Sequence, residues 1–135
     1  MLKIEHLGIA VKNLETSNAL FTKLFGKAPY KLEKVESENV STSFFMMGES
    51  KIELLEATDP TSAIAKFIEK KGEGIHHIAF EVTDIIAEMK RLQNEGFKLL
   101  SEQPKKGADN KLICFLHPKD SNGVLIELCQ EIVAR

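Results

Sequence analysis

The hydrophobic positions change period several times along the chain, and each change marks the border of an element. Residues 4–11, IEHLGIAV, alternate with period two. This predicts a strand with Ile4, His6, Gly8 and Ala10 on one face and Leu7, Ile9 and Val11 on the other. Asn13 then stands where a helix N-cap belongs, Leu14, Leu20, Phe21 and Leu24 recur at helical spacing, and Gly26 predicts the end. Three β-like stretches follow at 30–35, 40–47 and 51–57, the last two joined by a turn at GES. Asp59 as a cap and Pro60 at the first helical position predict a linker helix over about residues 60–71.

The order then begins again. IHHIAFEV reads as a strand, Thr83 or Asp84 as the cap of a helix carrying Ile85, Ile86, Met89 and Leu92, and Gly96 as its end. Three further β-like stretches are predicted at 97–102, 111–117 and 124–130. IEHLGIAVKNL matches IHHIAFEVTDI at a shift of 71, and KIELLE matches LIELCQ at a shift of 74. The chain therefore reads as a tandem duplication. The expected fold class is α+β, with two βαβββ modules at about 1–58 and 74–131 inside a single domain of residues 1–135.

Composition narrows the function classes. A net charge of −2, with Arg91 and Arg135 the only arginines, provides no basic field for nucleic acid. No apolar run approaches the roughly 20 residues that a bilayer span needs, and the first residues lack the pattern of an export leader, so no membrane partner and a cytoplasmic location are expected. Cys114 and Cys129 both lie in apolar runs and are expected to stay reduced. PKKGADNK, residues 104–111, concentrates lysines in a segment that reads as a solvated loop or as a place to meet an anionic ligand.

The candidate chemistry follows from the strand faces. His6 lies on the small-residue face, His77 shares its face with Ala79 and Glu81, and His76 falls among Ile78, Phe80 and Val82 as a core or boundary histidine. Glu53 stands against Ile52 and Leu54, and Glu127 stands against Ile126 and Leu128 in the same way. Each half thus offers one imidazole and one carboxylate. If an approximate twofold axis relates the halves, the four converge as donors suited to a divalent transition ion with open positions for water. Cys129 shares the face of Glu127, as a soft ligand or a small core residue. His117 reads as structural or as a neighbour of a ligand tail.

IEHLGIAV, KIELLE, GIHHIAFEV and GVLIEL resemble the vicinal oxygen chelate superfamily, known also as the glyoxalase/bleomycin resistance/dioxygenase superfamily. FIEKKGEGIHHIAFEV and FLHPKDSNGVLIEL resemble, within it, the methylmalonyl-CoA epimerase family. The resemblance implies a curled sheet around a metal-binding cleft, a homodimer, an acyl-CoA substrate, and one divalent ion, with cobalt, manganese, nickel and zinc all compatible. By motif position it assigns His6, Glu53, His77 and Glu127 as ligands. It further implies epimerisation at the carbon between thioester and carboxylate through an enolate, with Glu127 moving a proton. Some family members carry a separate glutamate base where Thr42 stands here, and glutamine where Glu53 stands. Glu53 is therefore the expected second proton-transfer group, with Glu38 the weaker candidate. Glyoxalase I, acting on a glutathione hemithioacetal, is the alternative enzyme with the same ligand pattern, and a metal-free small-molecule binder of this fold is the alternative outside enzymes.

Overall fold

The structure is a computed structural model that describes residues 1–133. β1 (Lys3–Ala10), α1 (Leu14–Phe25), β2 (Lys31–Val35), β3 (Val40–Met47) and β4 (Ser50–Ala57) make the first βαβββ module. After α2 (Ala63–Lys71), the second module repeats the order with β5 (Gly74–Glu81), α3 (Ile85–Asn94), β6 (Lys105–Lys106), β7 (Lys111–Leu116) and β8 (Ile126–Glu131). The chain divides into two compact units, one of residues 6–76 and one of residues 77 onward together with the first five.

In the unit of residues 6–76 the strand order is β2-β3-β4-β1, with β1 parallel to β4 and the other neighbours antiparallel. The β3–β4 hairpin turns at Gly48, whose φ of 62° is a conformation that a Cβ disfavours. Asn13 caps α1 by accepting the Thr16 N–H at 2.8 Å, and Gly26, at φ 74°, ends it. α1 lays Leu14, Phe21 and Phe25 over Ile9, Val11, Phe45, Ile52 and Leu54. Burying Phe45 and Leu54 completely stabilises this layer by about 1.5–3 kcal/mol each. The expected inward stripe of α1 is thereby corrected: Leu14, Phe21 and Phe25 recur at i, i+7 and i+11, while Leu20 and Leu24 lie on its flank and are exposed.

The linker helix also starts later than the sequence suggests. Asp59 Oδ1 accepts both the amide and the hydroxyl of Thr61, a local turn that holds its carboxyl below the usual carboxylate range. Pro60 lies in that turn, and Ser62 is the actual cap, accepting the Ala65 N–H at 3.1 Å.

In the second unit the strand order is β5-β8-β7-β6, with β5 parallel to β8 and the remaining pairs antiparallel. The Leu2 N–H donates to Glu81 O at 2.8 Å, tying the first residues to the end of β5. Asp84, rather than Thr83, caps α3 through the Ala87 N–H. Ile85, Met89 and Leu92 pack with Val82, Cys114, Leu116 and Leu128, whereas Ile86 points outward.

The strand expected at 97–102 does not form. Leu99 makes a single bridge to Leu116, and Phe97 and Leu99 pack on the core beneath α3. The chain then leaves β7 at a turn where Ser101 Oγ donates to Gln103 O, and Pro104 has no N–H to offer a ladder. Pairing resumes only at Lys105–Lys106, which form β6 opposite Ile113 and Leu112. The lysine-rich segment is likewise not uniformly solvated. Lys105 and Lys106 are exposed, but Lys111 is buried, with Nζ 4.0 Å from the Glu5 carboxylate. Among the described residues no helix is long and apolar enough to cross a membrane.

Candidate metal centre

Each unit builds the same row of side chains across three strands. In the first, the parallel β1–β4 register sets Gly8 opposite Glu53, and the antiparallel β3–β4 register sets Phe44 on the other side of Glu53. His6, two residues before Gly8, shares that face, and its Nε2 lies 3.2 Å from Glu53 Oε1. In the second, Ala79 and Phe115 flank Glu127 in the same registers. His77 Nε2 there lies 3.0 Å from Glu127 Oε1. Gly8 and Ala79 keep the neighbouring position on β1 and β5 nearly free of side-chain bulk, so the carboxylate and imidazole can meet above it.

All four residues are buried, none more than 5% exposed. A carboxylate and an imidazole removed from water are costly unless paired, so two such pairs at matched places need a reason. The aromatic neighbours repeat as well. The Phe44 ring meets His6 edge-on at 6.3 Å between centroids and 86°, and Phe115 meets His77 at 5.7 Å and 89°. Such rings exclude water beside the nitrogen without offering a competing donor atom.

The separation within each pair carries chemical information. Two donors each about 2.1 Å from a shared ion, at angles between octahedral and tetrahedral, stand about 3.0–3.4 Å apart. The observed 3.2 and 3.0 Å fall in that range, which overlaps that of a direct N–H···O hydrogen bond. Each unit therefore supplies an imidazole nitrogen and a carboxylate oxygen whose chemistry and spacing suit one divalent ion.

The other candidates sort differently. His76 packs edge-on against Phe67 of α2 at 5.0 Å and 88°, as a boundary histidine. Cys129 sits on the side of Glu127, walled by Ala79, Ile113 and Phe115, with its Sγ directed at Phe80 O; it is a core residue. His117 Nδ1 accepts the Lys119 N–H at 3.1 Å and so caps the turn of residues 118–121. Thr42 is buried one pleat from Phe44, and its hydroxyl donates to Glu33 O at 3.2 Å. Glu38 lies in the turn before β3, half-buried, beyond the Val40–Ala57 rung and four positions along β4 from Glu53. Phe44 and Phe115 are the residues that reasoning from sequence missed. They stand 71 apart, the shift that relates His6 to His77, and that spacing is the signal that marks them.

Residues 5–115 match the Glyoxalase/Bleomycin resistance protein/Dioxygenase superfamily. The chain is 41% identical over 130 residues to the ethylmalonyl-CoA/methylmalonyl-CoA epimerase of Cereibacter sphaeroides, covering 95% of this chain and 97% of that one. A variant of Streptomyces coelicolor methylmalonyl-CoA epimerase in complex with 2-nitronate-propionyl-CoA superposes with a TM-score of 0.95 at 33% identity, covering 98% of this chain and 96% of that chain. The structure of a methylmalonyl-CoA epimerase in complex with methylmalonyl-CoA and an ammonium ion matches equally well, with a TM-score of 0.95, 33% identity and the same coverage. The duplicated βαβββ architecture, the repeated His–Glu rows and these likenesses together establish that the chain belongs to the glyoxalase/bleomycin resistance/dioxygenase superfamily and, within it, to the methylmalonyl-CoA epimerase family.

Proposed function

We propose that this protein interconverts (R)- and (S)-methylmalonyl-CoA, with His6, Glu53, His77 and Glu127 as the ligands of one divalent ion. The observation that carries the reading is the buried imidazole–carboxylate pair, at 3.2 Å in one unit and 3.0 Å in the other, repeated with its aromatic neighbour. When bound, such an ion supplies Lewis-acid stabilisation of the negative charge that develops on the thioester oxygen as C2 loses its proton.

The chain's own residues do the rest. Glu127 takes the C2 proton from one face of the substrate, and Glu53, loosened from the ion and carrying a proton from solvent, delivers it to the other, which inverts the centre. Thr42 has no such role, because a hydroxyl lacks the basicity and this one donates to the Glu33 carbonyl. Phe44 and Phe115 keep water away from the two imidazoles. In this reading Lys105 and Lys106, whose exposure on β6 contrasts with the burial of Lys111, are the lysines of their segment that meet the phosphates of coenzyme A. The protein acts in this reading as a homodimer in the cytoplasm, where the buried thiols of Cys114 and Cys129 stay reduced.

The test is turnover by one metal-loaded sample, with cobalt, manganese, nickel and zinc compared, on methylmalonyl-CoA and on the hemithioacetal of glutathione. Epimerisation with no isomerisation of the hemithioacetal supports the proposal. The reverse outcome replaces it with glyoxalase chemistry.

A further inference from the structure

A second pair of contacts repeats in the two units with the same shifts as the histidines and glutamates. Three residues beyond each paired glutamate, a side chain on the opposite face of the strand reaches the first residue of the neighbouring helix. Glu56 Oε1 accepts the Leu14 N–H at 2.5 Å, and Gln130 Oε1 accepts the Ile85 N–H at 2.7 Å. Leu14 and Ile85 stand 71 apart, and Glu56 and Gln130 stand 74 apart. Both acceptors are half-buried on the helix-facing side of their strands.

Ordinary helix capping does not account for these bonds. Asn13 and Asp84 already cap α1 and α3, taking the N–H groups of Thr16 and Ala87. The strand side chains take the first N–H of each helix, which the cap residue does not reach. The acceptors lie 42 and 45 residues from their donors, on the strand that carries the glutamate, while the helix follows directly from the strand that carries the histidine. Each bond therefore joins the two strands whose relative register sets the His–Glu spacing. The bond sits beside a ladder contact that also repeats, Val11 N–H to Leu55 O and Val82 N–H to Cys129 O, both at 2.9 Å.

Register matters here because a one-residue slip of a strand sends every side chain to the other face. The parallel ladders that hold it are short, running from His6 to Ala10 on β1 and from Ile78 to Glu81 on β5. One acceptor is a carboxylate and the other an amide, so what the two units share is a side-chain oxygen at a fixed place and not a charge.

We propose that Glu56 and Gln130 are positioning residues, each fixing the register of a His-bearing strand against its Glu-bearing partner through the first amide of the intervening helix. The proposal rests on the metal-binding reading above, since its functional consequence is ligand spacing. Two measurements on the full chain test it, in Glu56→Ala, Gln130→Ala and Glu56→Gln. The first is calorimetric titration of the apoprotein with Co²⁺ alone. The second is native-state amide exchange at Val11 and Val82. Each alanine variant is expected to weaken Co²⁺ binding by about tenfold, the scale of one lost hydrogen bond. Each should also speed exchange by about tenfold at its own ladder amide, Val11 for Glu56 and Val82 for Gln130. Glu56→Gln, which keeps the acceptor oxygen, should stay within about threefold of the parent in both. Alanine variants that match the parent in both measurements overturn the proposal, and so does a Glu56→Gln as impaired as Glu56→Ala. A parent that binds no Co²⁺ removes the metal reading instead, and exchange at Val11 and Val82 then decides the clamp by itself.

Discussion

Truncating Phe44 to alanine probes the wall beside His6. The ring is 1% exposed, stands between Tyr30, at 6.0 Å, and His6, at 6.3 Å, and flanks Glu53 across the β3–β4 rung. Removing a fully buried phenylalanine costs about 3–5 kcal/mol in transfer and cavity energy, the edge-on contact with His6 and the tilted one with Tyr30 included. Taking about 4 kcal/mol, and an unfolding entropy of about 0.28 kcal/mol/K for a chain of this length, the melting temperature should fall by about 14 °C. Phe115 occupies the matched position but is only half-buried, so Phe115→Ala should cost about half as much. Thermal and urea denaturation of the metal-free protein measure both, which separates packing from any stabilisation by a bound ion. A Phe44→Ala loss below about 1 kcal/mol would refute the packing described for this ring.

The remaining predictions concern proton transfer and pH. In the epimer whose C2 proton faces Glu127, Glu127→Gln should lower solvent deuterium incorporation by at least about 100-fold, and unimpaired exchange of both epimers would remove Glu127 from the chemistry. Glu53→Gln should keep the ion, because the amide oxygen remains a donor, and lose epimerisation by a similar factor; full activity with metal retained would exclude Glu53, and loss in Glu38→Gln would then identify the base. Burial pushes the Cys114 thiol above its ordinary range, with Ser101 and Lys105 pulling the other way. Because the unfolded chain gives up this proton first, the contribution to stability is complete below the ordinary thiol pKa and is lost as pH rises toward the folded one. Urea denaturation at pH 7 and pH 10 should show a smaller decline in Cys114→Val than in the parent, and an identical decline would contradict the burial effect.

Most strands and the caps of α1 and α3 were legible because local chemistry decides them. Asn13 and Gly26 bound α1 as their side-chain and backbone preferences dictate, and alternation along IEHLGIAV puts His6 and Val11 on opposite faces. Alternation and the repeat marked His6, Glu53, His77 and Glu127, whereas the meeting of each histidine with the glutamate of its own unit depends on the β1–β4 and β5–β8 ladders. What escaped depends on partners far away in the sequence. Leu20 and Leu24 fit a helical stripe, yet the face of α1 that meets β1 and β4 is set by how the helix leaves Asn13, which selects Phe25 instead. FKLLSE has strand composition, but the Ser101–Gln103 turn and Pro104 break its ladder. Lys111 reads as a loop lysine until Glu5, 106 positions earlier, is found beside it. Phe44 and Phe115 looked like ordinary strand hydrophobics because a register, not a composition, places them beside Glu53 and Glu127.

Binding stoichiometry tests the central claim most directly, because a single ion held by both pairs behaves differently from two independent sites. Titrating the apoprotein with Co²⁺ should yield one ion per chain, and His6→Ala and His77→Ala should each abolish that binding. Two ions per chain, or one ion that survives loss of either histidine, would contradict it.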